Sequence, residues 1–341
     1  MSAVWCVCGS NDEHLSSSCS CRAAFLALNA RFRTNAFRLI EMMVELCSRT
    51  AGSSHLVDEI LYTIFFLGQI LDLRGQLKFH PREIIDNDEM YEALKERYKV
   101  PIQHFESQTR PKCPLPRRSP FSCVLDMFVL REGPENETEI RSSLRRLVNT
   151  LEPDFLVSTV ICVSRSIQSD NQYGVSMSTT GLNARKVVLA ASCLSGYWNE
   201  YVADAVMTYY PVKEQRKSDK SKKNYFDGTF RVPAGVSCQA YKISDERSDE
   251  MDPCLSCRNL FGLTGQSPKE NIYGNCAEAE SLSNLLNVDA NLTRFIPPRH
   301  NTCTPENRDL ARAAVEEMLR QTLNMVQFRR WNGEYYNPQR Q

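Results

Sequence analysis

The chain has 341 residues, enough for one large domain or two smaller ones, and its 42% hydrophobic content can supply a core. Lysine plus arginine equal aspartate plus glutamate at 41 each, so no global charge drives it toward nucleic acid or an anionic membrane, although a local basic groove stays open. There are fourteen cysteines, the first residues lack a charged and apolar leader, and the longest apolar run (60–71) is too short and interrupted to span a bilayer; the expectation is a cytoplasmic or nuclear protein with thiols that are reduced, buried or metal-bound.

Residues 1–21 carry Cys6, Cys8, Cys19 and Cys21 in a C-x-C-x10-C-x-C array among serines. They read as a cysteine-rich, disordered start, with a structural zinc knuckle as the other reading. Residues 22–104 read as a helical region. Phe32, Leu39, Met43 and Leu46 recur at helical spacing, and a second helix from about Ser54 carries Leu56, Ile60, Ile64 and Leu67, with Gly75 as a stop. A third helix is predicted over 89–99, ending before Pro101. Such an apolar stripe serves as core or as a face for a protein partner. His55, His80 and His104 are isolated and read as surface or satisfied histidines rather than ligands.

Residues 105–121, with four prolines and a basic character, read as a solvated linker. Residues 122–330 are then expected to form one α/β domain. Within and just before it, 121–130 reads as a strand and 135–151 as an amphipathic helix. The run 155–165 (FLVSTVICVSR) is β-branched and apolar on both faces, as in a central strand. A polar turn and a return strand over 173–180 follow, then one long helix marked by Val187, Leu194, Trp198 and Ala205. Residues 213–223 form a charged loop of six basic and two acidic residues, read as a solvated insertion that could alternatively guide a polyanion. Residues 231–243 read as a strand, a long helix opens at Thr304-Pro305-Glu306, and 331–341 is a tail that docks on the body or binds a partner.

The chemistry concentrates in 252–286, DPCLSCRNLFGLTGQSPKENIYGNCAEAESLSNLL. Asp252 with Pro253, and Asn275 with Glu278 three residues on, predict two helix starts. Cys254, Cys257 and Cys276 then fall in the first turns of two helices, where backbone N–H groups and the helix dipole favour thiolate. Three sulfur ligands with an open fourth position describe a catalytic zinc, whose water is easier to deprotonate. Glu278, two residues from a ligand, would shuttle protons. The other reading is a structural zinc site with a fourth ligand from Cys238, His300 or Cys303, and with Glu278 as a cap only.

Pro-Cys-x-x-Cys plus Cys-Ala-Glu resembles the metal signature of the cytidine deaminase-like superfamily. The resemblance implies Cys254, Cys257 and Cys276 as Zn2+ ligands and Glu278 as general acid/base. It implies a three-layer α/β/α domain after the helical region, and a nucleobase-containing substrate, either a free nucleoside or nucleic acid. The family presents the Ala-Glu motif first and Pro-Cys-x-x-Cys later. Here the order is reversed, which implies a rewired topology, and the long helix after the strand pair, which carries the Ala-Glu motif in the family, lacks it.

Overall fold

Apolar residues recurring every three or four positions make the first third of the chain helical. The computed structural model describes residues 14–70, 78–106, 111–210, 222–243 and 249–338, the side chains of 14–28 excepted. Helices α1 (His14–Cys47) and α2 (Ser54–Gln69) pack through buried Leu39, Met43, Ile60 and Ile64. The helix begins at His14, so part of the start expected to be disordered is helical; Cys6, Cys8 and the Gly75 stop lie outside the described residues. Short helices α3 (Pro81–Ile84), α4 (Asp88–Arg97) and α5 (Lys99–Glu106) follow. Helix α4 ends before Pro101 as predicted, but Pro101 itself lies in the next helix. It is the third residue of α5, in a first turn whose N–H groups have no helical partner anyway.

In the stretch expected to be a solvated linker, residues 111–121 are largely buried. Strand β1 (Cys113–Leu115) has both ends at 0% exposure, and Arg118 is buried in an ion pair with Glu59 of α2. The prolines here make an extended segment rather than a mobile one, because its polar groups find partners inside the protein. Helix α6 (Pro120–Glu132) replaces the strand predicted over 121–130. An apolar run buried on nearly all sides has no period to separate strand from helix; Pro120 at the first helical position was the signal for a helix. Helix α7 (Glu137–Val148) is amphipathic as expected.

Strands β2 (Val160–Ser166) and β3 (Ser169–Val175) form a hairpin. The return strand therefore begins earlier than predicted. Helices α8 (Leu182–Leu194) and α9 (Glu200–Tyr209) replace the one long helix; Gly196 at φ 74° and the Asn199 cap, which accepts from the Tyr201 N–H, break it. Then come β4 (Ser237–Lys242), β5 (Glu250–Met251), α10 (Leu255–Phe261), α11 (Ala277–Val288), a 3-10 turn (Ala290–Phe295), α12 (Pro305–Met325) and β6 (Trp331–Tyr335). The charged loop falls mostly in 211–221, outside the described residues. The Thr304 hydroxyl caps α12 as the sequence predicts, and the tail docks as β6, parallel to β1.

The main sheet is antiparallel in the order β3-β2-β4-β5, with β2 inside it. Its two faces separate by residue parity. Cys162 packs on Ala277, and Ser164 Oγ lies 2.9 Å from Ser281 Oγ, so this face carries α11. On the other face the Tyr173 hydroxyl donates to the Pro134 carbonyl, and Arg141 of α7 stacks 3.7 Å over Tyr241. The fold is thus mixed α/β, with helices on both faces of the sheet. Gly174 of β3 permits the close approach of α11: a Cβ there would lie 2.3 Å from the Ser281 nitrogen and 2.5 Å from the Ala277 oxygen. Among the described residues no helix is long and apolar enough to cross a membrane.

Candidate metal centre

Two helix N-termini converge above the α11 face of the sheet. The N-caps differ from those predicted. Asp252 and Asn275 stand outside the helices, and Cys254 and Cys276 are themselves the caps of α10 and α11. The Cys254 carbonyl accepts from Arg258 at 3.0 Å, and the Cys276 carbonyl from Ala279 at 3.1 Å. The predicted capping box does not form, since the Asn275 N–H bonds the Ile272 carbonyl instead. The broader expectation holds: Cys254, Cys257 and Cys276 lie in or beside the first turns of two helices.

The connector between these helices is folded back and tied to α10. Leu255 N–H donates to the Lys269 carbonyl (2.8 Å), and Ser256 Oγ to that of Asn271 (2.6 Å). The Arg258 guanidinium donates to the carbonyls of Gly265 and Ser267. Tyr273 stacks on Tyr209 of α9 with ring centroids 4.0 Å apart. Gly274, at φ 85°, makes the last turn; a Cβ there would meet Leu189 at 2.7 Å. The Asn275 carbonyl accepts from Met177 N–H (2.9 Å), tying the turn to the chain that leaves β3. Cys276 is positioned by all of these.

Cys254 Sγ lies 3.7 Å from Cys257 Sγ and 3.5 Å from Cys276 Sγ, and all three sulfurs fall within 4.8 Å of one another. A tetrahedral ion with metal–sulfur bonds of about 2.3 Å sets its sulfurs roughly 3.8 Å apart. The spacing and the soft donor set therefore fit a bound metal ion. Hydrogen bonding with Cys257 and then with Cys276 pulls Cys254 below the ordinary thiol range, with backbone N–H groups adding to this. Cys257 and Cys276 are pushed up, first by their bonding to Cys254 and then by burial. The three thiols bond one another, and a dication would draw off their protons. Asn271 Nδ2 donates to Cys276 Sγ at 3.3 Å, a supporting contact that the sequence reading missed.

Among the described residues this metal-ligating group has three members. The fourth ligands considered from sequence are engaged elsewhere. Cys238 Sγ lies 3.4 Å from Cys162 Sγ in the sheet, His300 Nδ1 bonds the Thr302 hydroxyl, and Cys303 Sγ accepts from Arg299. A cleft of about 260 Å³ opens beside the thiols, lined by Cys254, Cys276 and Glu278, and by Arg185, Lys269 and Asn275. Glu278 is 5% exposed, and its carboxyl is pushed up, first by burial and then by the Cys254 charge. Arg185 stands on α8, some seventy residues before the ligands, so no local motif could announce it.

These features define a mixed α/β protein with a three-thiol cluster, able to hold a metal ion, at two converging helix N-termini. No family model matches the chain, and neither a curated protein nor a solved structure matches it.

Proposed function

We propose that the chain is a zinc-dependent hydrolytic deaminase acting on a nucleobase. The observation that carries this reading is that Glu278 shares one cleft with Cys254 and Cys276. Cys254, Cys257 and Cys276 would hold the ion. When bound, zinc supplies a Lewis acid that lowers the pKa of a water in the fourth position. Hydrolytic deamination replaces a ring C–N bond to the amine with a C–O bond from water and releases ammonia. Two protons must travel in that exchange. Glu278 would take one from the water, place it on the ring nitrogen, and later deliver a proton to the departing amine.

The reversed order of the two motifs does not oppose this assignment, because the metal needs two helix ends to meet rather than a given chain order. An interaction protein with a structural zinc site would need a fourth protein ligand. Cys238, His300 and Cys303 have other partners, which weighs against that alternative.

The test is zinc content and ammonia release for wild type, Cys254→Ser and Glu278→Ala. Near-stoichiometric zinc in wild type and in Glu278→Ala, its loss in Cys254→Ser, and ammonia release from an aminated nucleoside or nucleotide by wild type alone are expected. Wild type that purifies without zinc in chelator-free buffer would end the proposal.

A further inference from the structure

The cleft contains groups that the chemistry at the ring carbon does not use. Arg185 of α8 and Lys269 of the connector both line it, and among the described residues neither makes an ion pair. Arg185 is half-buried, and its Nε is shut off from water without an acceptor. Burial without a counter-charge holds its pKa down. A guanidinium left in this state carries a desolvation cost that an incoming anion would relieve. Its planar array of donors matches the oxygens of a phosphate. The cleft therefore offers a half-buried guanidinium without a counter-charge and an exposed ammonium on the same lining.

We propose that the cleft takes a nucleoside monophosphate, its phosphate held by Arg185 and Lys269. The base half rests on the deaminase reading; the phosphate half rests on the unpaired cations. A phosphate monoester carries about −1.5 to −2 charges near neutral pH, which two cations balance. A nucleic-acid strand carries one charge per phosphate and is tracked by a line of cations. The other charged residues lining this cleft are acids, Asp252 and Glu278, so the balance favours a single nucleotide. A volume of about 260 Å³ is at the small end of ligand pockets, in keeping with one nucleotide.

The experiment is calorimetric titration of the zinc-loaded full chain with cytidine and adenosine, their monophosphates, ribose 5-phosphate and a short single-stranded oligonucleotide. The same series is run on Arg185→Gln and Lys269→Gln, with zinc content as the check on folding. For one of the two bases, the monophosphate should bind about ten- to a hundred-fold tighter than the nucleoside. Arg185→Gln should bring that ratio close to one with zinc retained, and Lys269→Gln, a substitution at an exposed side chain, should narrow it. Nucleoside binding with ammonia release but no phosphate advantage, or a ratio that survives Arg185→Gln, overturns the inference and leaves the deaminase reading standing. Ribose 5-phosphate binding as tightly as either monophosphate, with no ammonia released from any ligand, overturns the deaminase reading and the base half with it. An oligonucleotide that binds where mononucleotides do not overturns the inference in favour of a strand.

Discussion

Cys254 Sγ and Cys276 Sγ lie 3.5 Å apart although twenty-two residues separate them in the chain. The pair is held by two helix caps and by a connector bonded along the side of α10. The backbone of each cysteine is fixed as the cap of its own helix, and such rigidity is what a metal centre requires.

Acid should release the metal. Thiolate rather than thiol is the form that binds metal, so protons compete with metal for all three sulfurs. Zinc retained at neutral pH is expected to appear in the free pool as pH falls, as read by a chromogenic chelator. The metal-free chain should melt at a lower temperature than the loaded one.

Asn271→Ala removes the N–H donor to Cys276 Sγ without touching a ligand. Loss of such an outer contact weakens metal binding by about 10–100-fold. Competition against a chelator of known affinity measures this. Asn271→Asp, with its acceptor-only carboxylate against a thiolate, should be worse than Ala.

Gly174→Ala tests the spacing between sheet and metal helix. The new methyl would sit inside the backbone of α11, which cannot rotate out of the way as a side chain would. Overpacking of this kind costs about 1–3 kcal/mol or more. Urea denaturation should show the loss, and zinc affinity should fall with it because α11 carries Cys276.

Glu59 joins the helical region to the segment before α6. Burial pushes its carboxyl up, but Arg118 and Arg117 outweigh burial and leave it below the ordinary glutamate value. A lowered folded-state pKa gives stability that is present above the unfolded value and lost as pH falls through the folded one. Glu59→Gln strands the Arg118 charge, whose remaining ion pair among the described residues is with Asp126, and should cost about 3–5 kcal/mol at neutral pH. In urea titrations at successively lower pH, the gap between wild type and variant should shrink below the ordinary carboxylate range. A gap that stays constant would show that the pair contributes through packing rather than charge.

The C-terminal tail is part of the core. Tyr336 stacks on Tyr62 with centroids 3.6 Å apart, and its hydroxyl donates to Asp58. Tyr336→Ala should cost about 3–5 kcal/mol, as other buried aromatic truncations do. The N-terminal helices should lose protection from hydrogen exchange in the same variant.

The sequence by itself determined the α/β class, the helical first third, the amphipathic α7, the inner position of β2 and the start of α12. Each follows from a local period or a cap that neighbouring residues set together. It also determined that three cysteines sit at helix starts, because capping residues and prolines mark those starts to within two positions. Local signals misled where period is absent: the apolar run at 121–130 is a helix, and the proline-rich segment after α5 is buried against α2 and β6. Only the tertiary structure decided that two helix N-termini meet, that Asn271 reaches Cys276, and that Arg185 from α8 and Lys269 from the connector face one cleft. Apart from the Asn271 contact, which depends on how the connector folds back, those are meetings of residues far apart in the chain. Backbone geometry carries order over a few residues, whereas the approach of distant elements is set by how the whole core packs.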